Sequence, residues 1–240
     1  MKYLSVNAIF HRWAVGPVTA VILTLVCHLA VATPIQRIEI PDTGWRLWLD
    51  REAAWENDEL FLPSEVDLAA LPTNAPTGGW EILDSSHGIP VSLPSTVEEH
   101  YWGQFGLRPY KNEYYFERFD NKVQNGNVPG VSWGWTRVNL PEEVRGKKIV
   151  LHVRGARLRA EVYLNRRLVA YDLIEQTAFR CDVSRAVLPG QSNLLTIRIT
   201  NPGGRLDWLD IRLDSWGKYK YYTGRGFGGL DRGLYLSIHP

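Results

Sequence analysis

Trp208 and Trp216 stand among Asp207, Asp210 and Asp214 in the stretch "RLDWLDIRLDSWGKY". A tryptophan offers a flat apolar face that stacks on the axial C–H groups of a pyranose, and a carboxylate beside it accepts hydrogen bonds from the hydroxyls. Trp208, Asp210 and Trp216 are therefore candidate sugar contacts, in sequence that reads as loop. The chain holds 10 Trp in all, and most tryptophans in a β-protein serve the core. Trp133 and Trp135 in "VSWGWTR" share one strand face and are expected to point inward.

Other chemistries find less support. Glu98-Glu99 and Glu142-Glu143 are adjacent carboxylates, but a retaining glycosidase holds its two groups about 5–5.5 Å apart across a substrate, normally from different strands. Sequence neighbours diverge, so these pairs read as a helix cap and surface charge. "GRGFGG" matches G-x-G-x-x-G at Gly224, Gly226 and Gly229. A strand pattern follows it, whereas pyrophosphate binding requires a helix N-terminus there. These glycines read instead as a turn that brings backbone close to a neighbouring surface. His87, His100, His152 and His239 show no metal-ligand spacing, so neither a metal nor another cofactor is expected. Cys181 in "AFRCDVS" has no activating neighbour and reads as a packing residue.

The elements that must position these residues are strands. In "KKIVLHVRG" Ile149, Leu151 and Val153 alternate, as do Leu195, Ile197 and Ile199 in "NLLTIRITN"; period two marks half-buried antiparallel strands. "RAEVYLNRRLVAYD" places Asn165-Arg166 at a hairpin turn. Arginine is a poor second residue where φ must be positive, which suggests a longer loop. Ser95 and Glu98 form a capping-box pattern, and Asp182 or Ser184 would cap a second short turn closed by Pro189-Gly190. Short strands between Pro and Gly turns, without a sustained amphipathic helix, predict a two-sheet β-sandwich. No internal repeat or linker interrupts residues 38–240.

Before this domain, Lys2 and Arg12 precede an uncharged stretch, Ala14–Ala32, ending in Ala30-Val31-Ala32. That layout predicts a cleaved secretory signal peptide over residues 1–32, and hence a periplasmic or extracellular protein. The segment would be the chain's only membrane contact. Its removal takes away Lys2 and Arg12 and leaves 25 basic against 26 acidic side chains. That balance offers no footprint for nucleic acid. Cys181 alone remains after cleavage, so no internal disulfide can form and stability must come from burial.

The ordered motifs carry a family resemblance. Trp135-Thr136-Arg137 precedes a proline turn, and "GKKIVLHV", "AEVYLN", "AFRCDV" and "GQSNLLTIRITN" follow. The series closes on "GGLDRGLYL". In this order, over residues 131–236, they resemble the N-terminal sugar-binding domain of glycoside hydrolase family 2, the group of β-galactosidases, β-glucuronidases and β-mannosidases. The resemblance implies an all-β jelly-roll sandwich of the galactose-binding type. In the family that domain leads into an immunoglobulin-like domain and a (β/α)₈ barrel that carries the two catalytic glutamates. These 240 residues are expected to stop short of that barrel.

The chain departs from the family pattern at Asn165-Arg166, where Asn-Gly is common, and in "YDLIEQTAF". It departs also at Thr223, where some members place an aspartate that reaches the active site. Arg225 and Asp231 would be the nearest substitutes for that aspartate. The resulting expectation is a non-catalytic, exported sandwich domain, truncated before its barrel, with an oligo- or polysaccharide as partner. The alternatives are a free-standing carbohydrate-binding module, or a chain that docks onto a separate barrel-bearing catalytic chain.

Overall fold

Strand β10 (Ser192–Asn201) shows how the alternation is used: Leu195, Ile197 and Ile199 enter one hydrophobic cluster, while Leu194 enters another on the opposite face. The computed structural model describes residues 34–55, 67–83, 87–101, 130–157, 159–173, 177–201, 228–230 and 232–240, together with the backbone of 212–216 and 219–223. The predicted signal segment lies outside the described residues. Pro34–Pro240 form one compact unit.

Two antiparallel sheets build it. The larger runs β3 (Ile89–Val91), β2 (Trp45–Asp50), β5 (Gly130–Asn139), β10, β7 (Arg159–Leu164) and β8 (Arg167–Asp172). The smaller runs β1 (Gln36–Ile40), β14 (Leu234–His239), β6 (Lys148–Val153) and β9 (Phe179–Asp182). Between β5 and β10 the chain passes from one sheet to the other at every step except the β7–β8 hairpin, so strands that follow one another mostly bury their apolar faces against each other. A short helix, α1 (Val97–Tyr101), follows β4 (Ser95–Thr96), which pairs with β13 (Gly229–Leu230). β11 (Arg212–Trp216) and β12 (Tyr219–Thr223) form a separate ribbon. This is the expected all-β jelly-roll sandwich.

The core between the sheets collects Val162, Leu195 and Ile197 from the large sheet with Ile149, Leu151, Leu234 and Leu236 from the small one. Each such side chain contributes about 1.5–3 kcal/mol by leaving water. Trp133 and Trp135 do share a face and are buried, but not in this core. They lie on the outer face of the large sheet, with Val131, Tyr163 and Leu83. Residues 67–83 cross this face as a strap, and Trp80 packs edge-on against Trp133 and Tyr163 at centroid distances of 5.8 and 5.1 Å. The expectation of inward tryptophans is corrected accordingly, because period two says which residues share a face but not which face gains a second cover.

The β7–β8 turn is also shorter than expected. Leu164 pairs with Arg167, so Asn165 and Arg166 are the whole turn, at φ 50° and 66°. The Asn165 side chain donates to Ala186 O and Asn193 Oδ1, both at 2.7 Å, and accepts from Leu194 N at 3.0 Å. Arg166 reaches Glu81 Oε1 at 2.9 Å. These tertiary bonds hold a left-handed arginine that local preference disfavours. In β8 the register shifts after Val162, so Val169 is a bulged residue and both Val169 and Ala170 reach the core. At the end of β9 the Asp182 carboxylate accepts from Ser184 N at 3.0 Å and caps a single turn closed by Val187 N on Val183 O at 3.1 Å.

Candidate functional site

The stretch 202–227 runs in sequence from Asn201, the last residue of β10, to Gly228. It carries Trp208, Asp210, Trp216 and Arg225. One carboxylate binds both residues that flank it. Glu98 accepts from Asn201 Nδ2 at 3.1 Å on Oε1 and from Gly228 N at 3.0 Å on Oε2. Only 1% of the Glu98 residue is exposed. Two donors on a desolvated carboxylate are the arrangement that makes burying such a group tolerable.

Helix α1 presents Glu98 correctly because Thr96, not Ser95, is its cap: Thr96 Oγ1 accepts from Glu99 N at 3.2 Å. Ser95 Oγ is instead paired with His100 Nε2 at 2.8 Å. The expected Ser95–Glu98 capping box is thus corrected, and Glu98 is neither a cap nor surface charge. Glu142, by contrast, lies at the surface and pairs with Arg145.

Gly228 and Gly229 close the same junction. Val97 N donates to Gly228 O at 2.9 Å, and Arg157 and Gly229 exchange backbone bonds at 3.0 and 3.2 Å. Gly229 sits at φ +137°, where a Cβ would collide with Ser95 O and lie 2.8 Å from Thr96 Cα. At these two positions the glycine cluster does bring backbone close to a neighbouring surface.

The outer face of the large sheet holds a second polar constellation. Glu161 pairs with Arg159 on its own strand and with Arg198 Nη1 at 3.3 Å. Glu161 also accepts from Tyr163 Oη at 2.8 Å and from Asn74 Nδ2 at 2.9 Å. Burial, and then the neighbouring Glu161 carboxylate, push the Tyr163 hydroxyl well above the ordinary tyrosine range. Beside this group Asp50 Oδ2 accepts from Trp133 Nε1 at 3.1 Å and from Thr77 N at 2.9 Å. Asn74 and Thr77 belong to the strap, so these carboxylates tie the strap to the sheet. Sequence reasoning missed Glu98, Glu161 and Asp50; their partners are remote in sequence, and only the glycine cluster signalled the first of them.

Trp208, Asp210, Arg225 and Asp231 lie outside the described residues. Trp216 ends β11, pairing in backbone register with Tyr219, and Thr223 ends β12. Cys181 packs against the core, and burial, then the adjacent Asp182, push its thiol up to about 12. Among the described residues, no group of three or more His, Cys, Asp or Glu side chains could hold a metal ion. Among them, too, no helix is long and apolar enough to cross a membrane.

No protein-family model matches the chain, and no curated protein matches it by sequence. Solved structures do match. A glycosyl hydrolase family 2 member from Bacteroides cellulosilyticus aligns over 84% of this chain and 20% of its own, with TM-score 0.51 and 19% identity. Ruminococcus gnavus β-glucuronidase aligns over 87% and 30%, with TM-score 0.51 and 19% identity. Bacteroides uniformis β-glucuronidase 2, bound to a cyclophellitol aziridine, aligns over 86% and 18%, with TM-score 0.50 and 17% identity. This chain spans at most 30% of the length of each. The likeness to family 2 glycoside hydrolases read from the motif order is therefore borne out in the fold: the chain is a jelly-roll sandwich that such enzymes carry as a fraction of their length.

Proposed function

We propose that residues 38–240 are the non-catalytic sandwich domain of an exported, family 2-like glycoside hydrolase. In this reading the domain supports a catalytic barrel and contacts carbohydrate through Trp208, Asp210, Trp216 and Arg225 of stretch 202–227 and through Asp231. The carrying observation is the shared fold, which covers more than four-fifths of this chain and less than a third of the hydrolases. The engagement of Glu98, Glu161 and Asp50 in structural bonds supports it, because each of these buried carboxylates is held by partners within the fold.

The experiment is calorimetric titration of the full chain with neutral and acidic oligosaccharides, run beside an assay on aryl β-glycosides. Weak glycan binding lost in Trp208→Ala or Trp216→Ala, without turnover, supports the proposal. Glycoside turnover by the purified chain overturns the non-catalytic assignment. Absence of any glycan binding removes the carbohydrate partner.

A further inference from the structure

The outer face of the small sheet is built differently from the strapped face of the large one. At its centre Tyr235 of β14 stacks on His152 of β6, with centroids 4.2 Å apart and ring planes within 6°. The Arg37 guanidinium, from β1 on the other side, lies 3.8 Å from the Tyr235 centroid, and that of Arg154 lies 5.2 Å from it. Ser237 Oγ bridges His152 Nε2 at 2.8 Å and His239 Nε2 at 3.0 Å.

Cations exceed anions on this face. Among the described residues Arg37, Lys148, Arg154 and Arg180 are set against Glu39, Asp182 and, near Arg154, Asp42; Glu39 is engaged by Arg37 and Arg154, and Asp182 by Ser184. The Tyr235 ring holds the Arg37 and Arg154 guanidiniums in place, so these two have little side-chain entropy left to lose on binding. From β1 to β9 the cations cover four strands, roughly 14 Å at the usual strand spacing, which suits an extended polyanion better than one small ion.

We propose that this face binds a segment of acidic polysaccharide, by charge complementarity between its guanidiniums and the polymer's carboxylates. The proposal rests on the carbohydrate reading above and adds a second surface to it. Nucleic acid fits less well: the Tyr235 ring is covered from both neighbouring strands, leaving no free face for a base to stack on.

Binding is graded by pH. His152 is surrounded by Tyr235, Ser237 and His239 on β14, Arg180 and Asp182 on β9, Arg37 and Glu39 on β1, and Lys148 and Arg154 on its own side. Burial first, then Arg180, His239 and Arg37, hold its pKa below the ordinary histidine value. An incoming polyanion offsets those cations, favours protonation of His152, and so binds more tightly as pH falls.

The test is titration of the full chain with polygalacturonate, dextran and single-stranded DNA at about pH 5.5 and 7.5. The expected result is polygalacturonate binding that strengthens at the lower pH. It should weaken by about tenfold in added salt, and about as much in the Arg154→Ala/Arg180→Ala double variant. Arg145→Ala, an exposed cation elsewhere, should change nothing. His152→Phe keeps an aromatic ring in the stack and should flatten the pH dependence. No binding of polygalacturonate, equal loss with Arg145→Ala, or equal affinity for DNA each overturns the proposal. Neutral-glycan binding sensitive to Trp216→Ala but without polygalacturonate binding would sink this inference and leave the first reading standing.

Discussion

The Glu98 carboxylate and the Gly228 N–H, 130 positions apart in sequence, meet at 3.0 Å in the interior of the domain. Through this bond, and its companion to Asn201, a one-turn helix holds the two residues that flank stretch 202–227 in the sequence.

Replacing that carboxylate by its amide sets an N–H group against one of two N–H donors. Glu98→Gln is expected to destabilise the domain by about 1–3 kcal/mol, the usual cost of an unsatisfied buried polar group. Urea denaturation measures it, and an unchanged midpoint would contradict the fastening role.

Two glycines with positive φ should respond differently to the same methyl group. A Cβ at Gly44, where φ is +81°, would meet nothing within 4 Å, whereas at Gly229 such an atom meets the β4 backbone. Gly44→Ala should cost about 1 kcal/mol from backbone strain alone. Gly229→Ala should cost clearly more, or prevent folding, as read by thermal melting of the pair.

Arg166 occupies a left-handed turn site at φ 66°. Arg166→Gly relieves strain of about 1–2 kcal/mol, against the greater backbone freedom of glycine in the unfolded chain and loss of the exposed pair with Glu81. A net gain of up to about 1 kcal/mol is expected, visible as a higher Tm.

Glu161 neutralises two guanidiniums with almost no solvent access. Glu161→Ala leaves both buried without their carboxylate and should cost about 3–5 kcal/mol. Equilibrium denaturation tests this, and loss of strap protection in hydrogen exchange should accompany it.

The Cys181 thiol, raised to about 12, should resist alkylation at neutral pH until the chain unfolds. The linkage follows from the sign of the shift. The raised pKa contributes stability below the unfolded thiol value of about 8.5, and this is lost as pH rises from there through the folded value. Thiol labelling against denaturant, and stability measured up alkaline pH, check the two halves.

Strand character, the two-sheet sandwich and the close approach at the glycine cluster were legible because each depends on residues near one another in the chain. Period two sorts side chains onto faces, and a glycine run marks backbone that must pass near something. The burial of Glu98 was not legible, since its partners Asn201 and Gly228 arrive from distant sequence. The cover over Trp133 was equally hidden, because a strap of residues 67–83 supplies it. The Asn165-Arg166 turn went against its own local preference because Asn193, Ala186 and Glu81 hold it. Local alternation therefore determined which residues could form sheets, while tertiary structure decided which polar groups could be buried: desolvating a charge is tolerable only where distant donors converge on it.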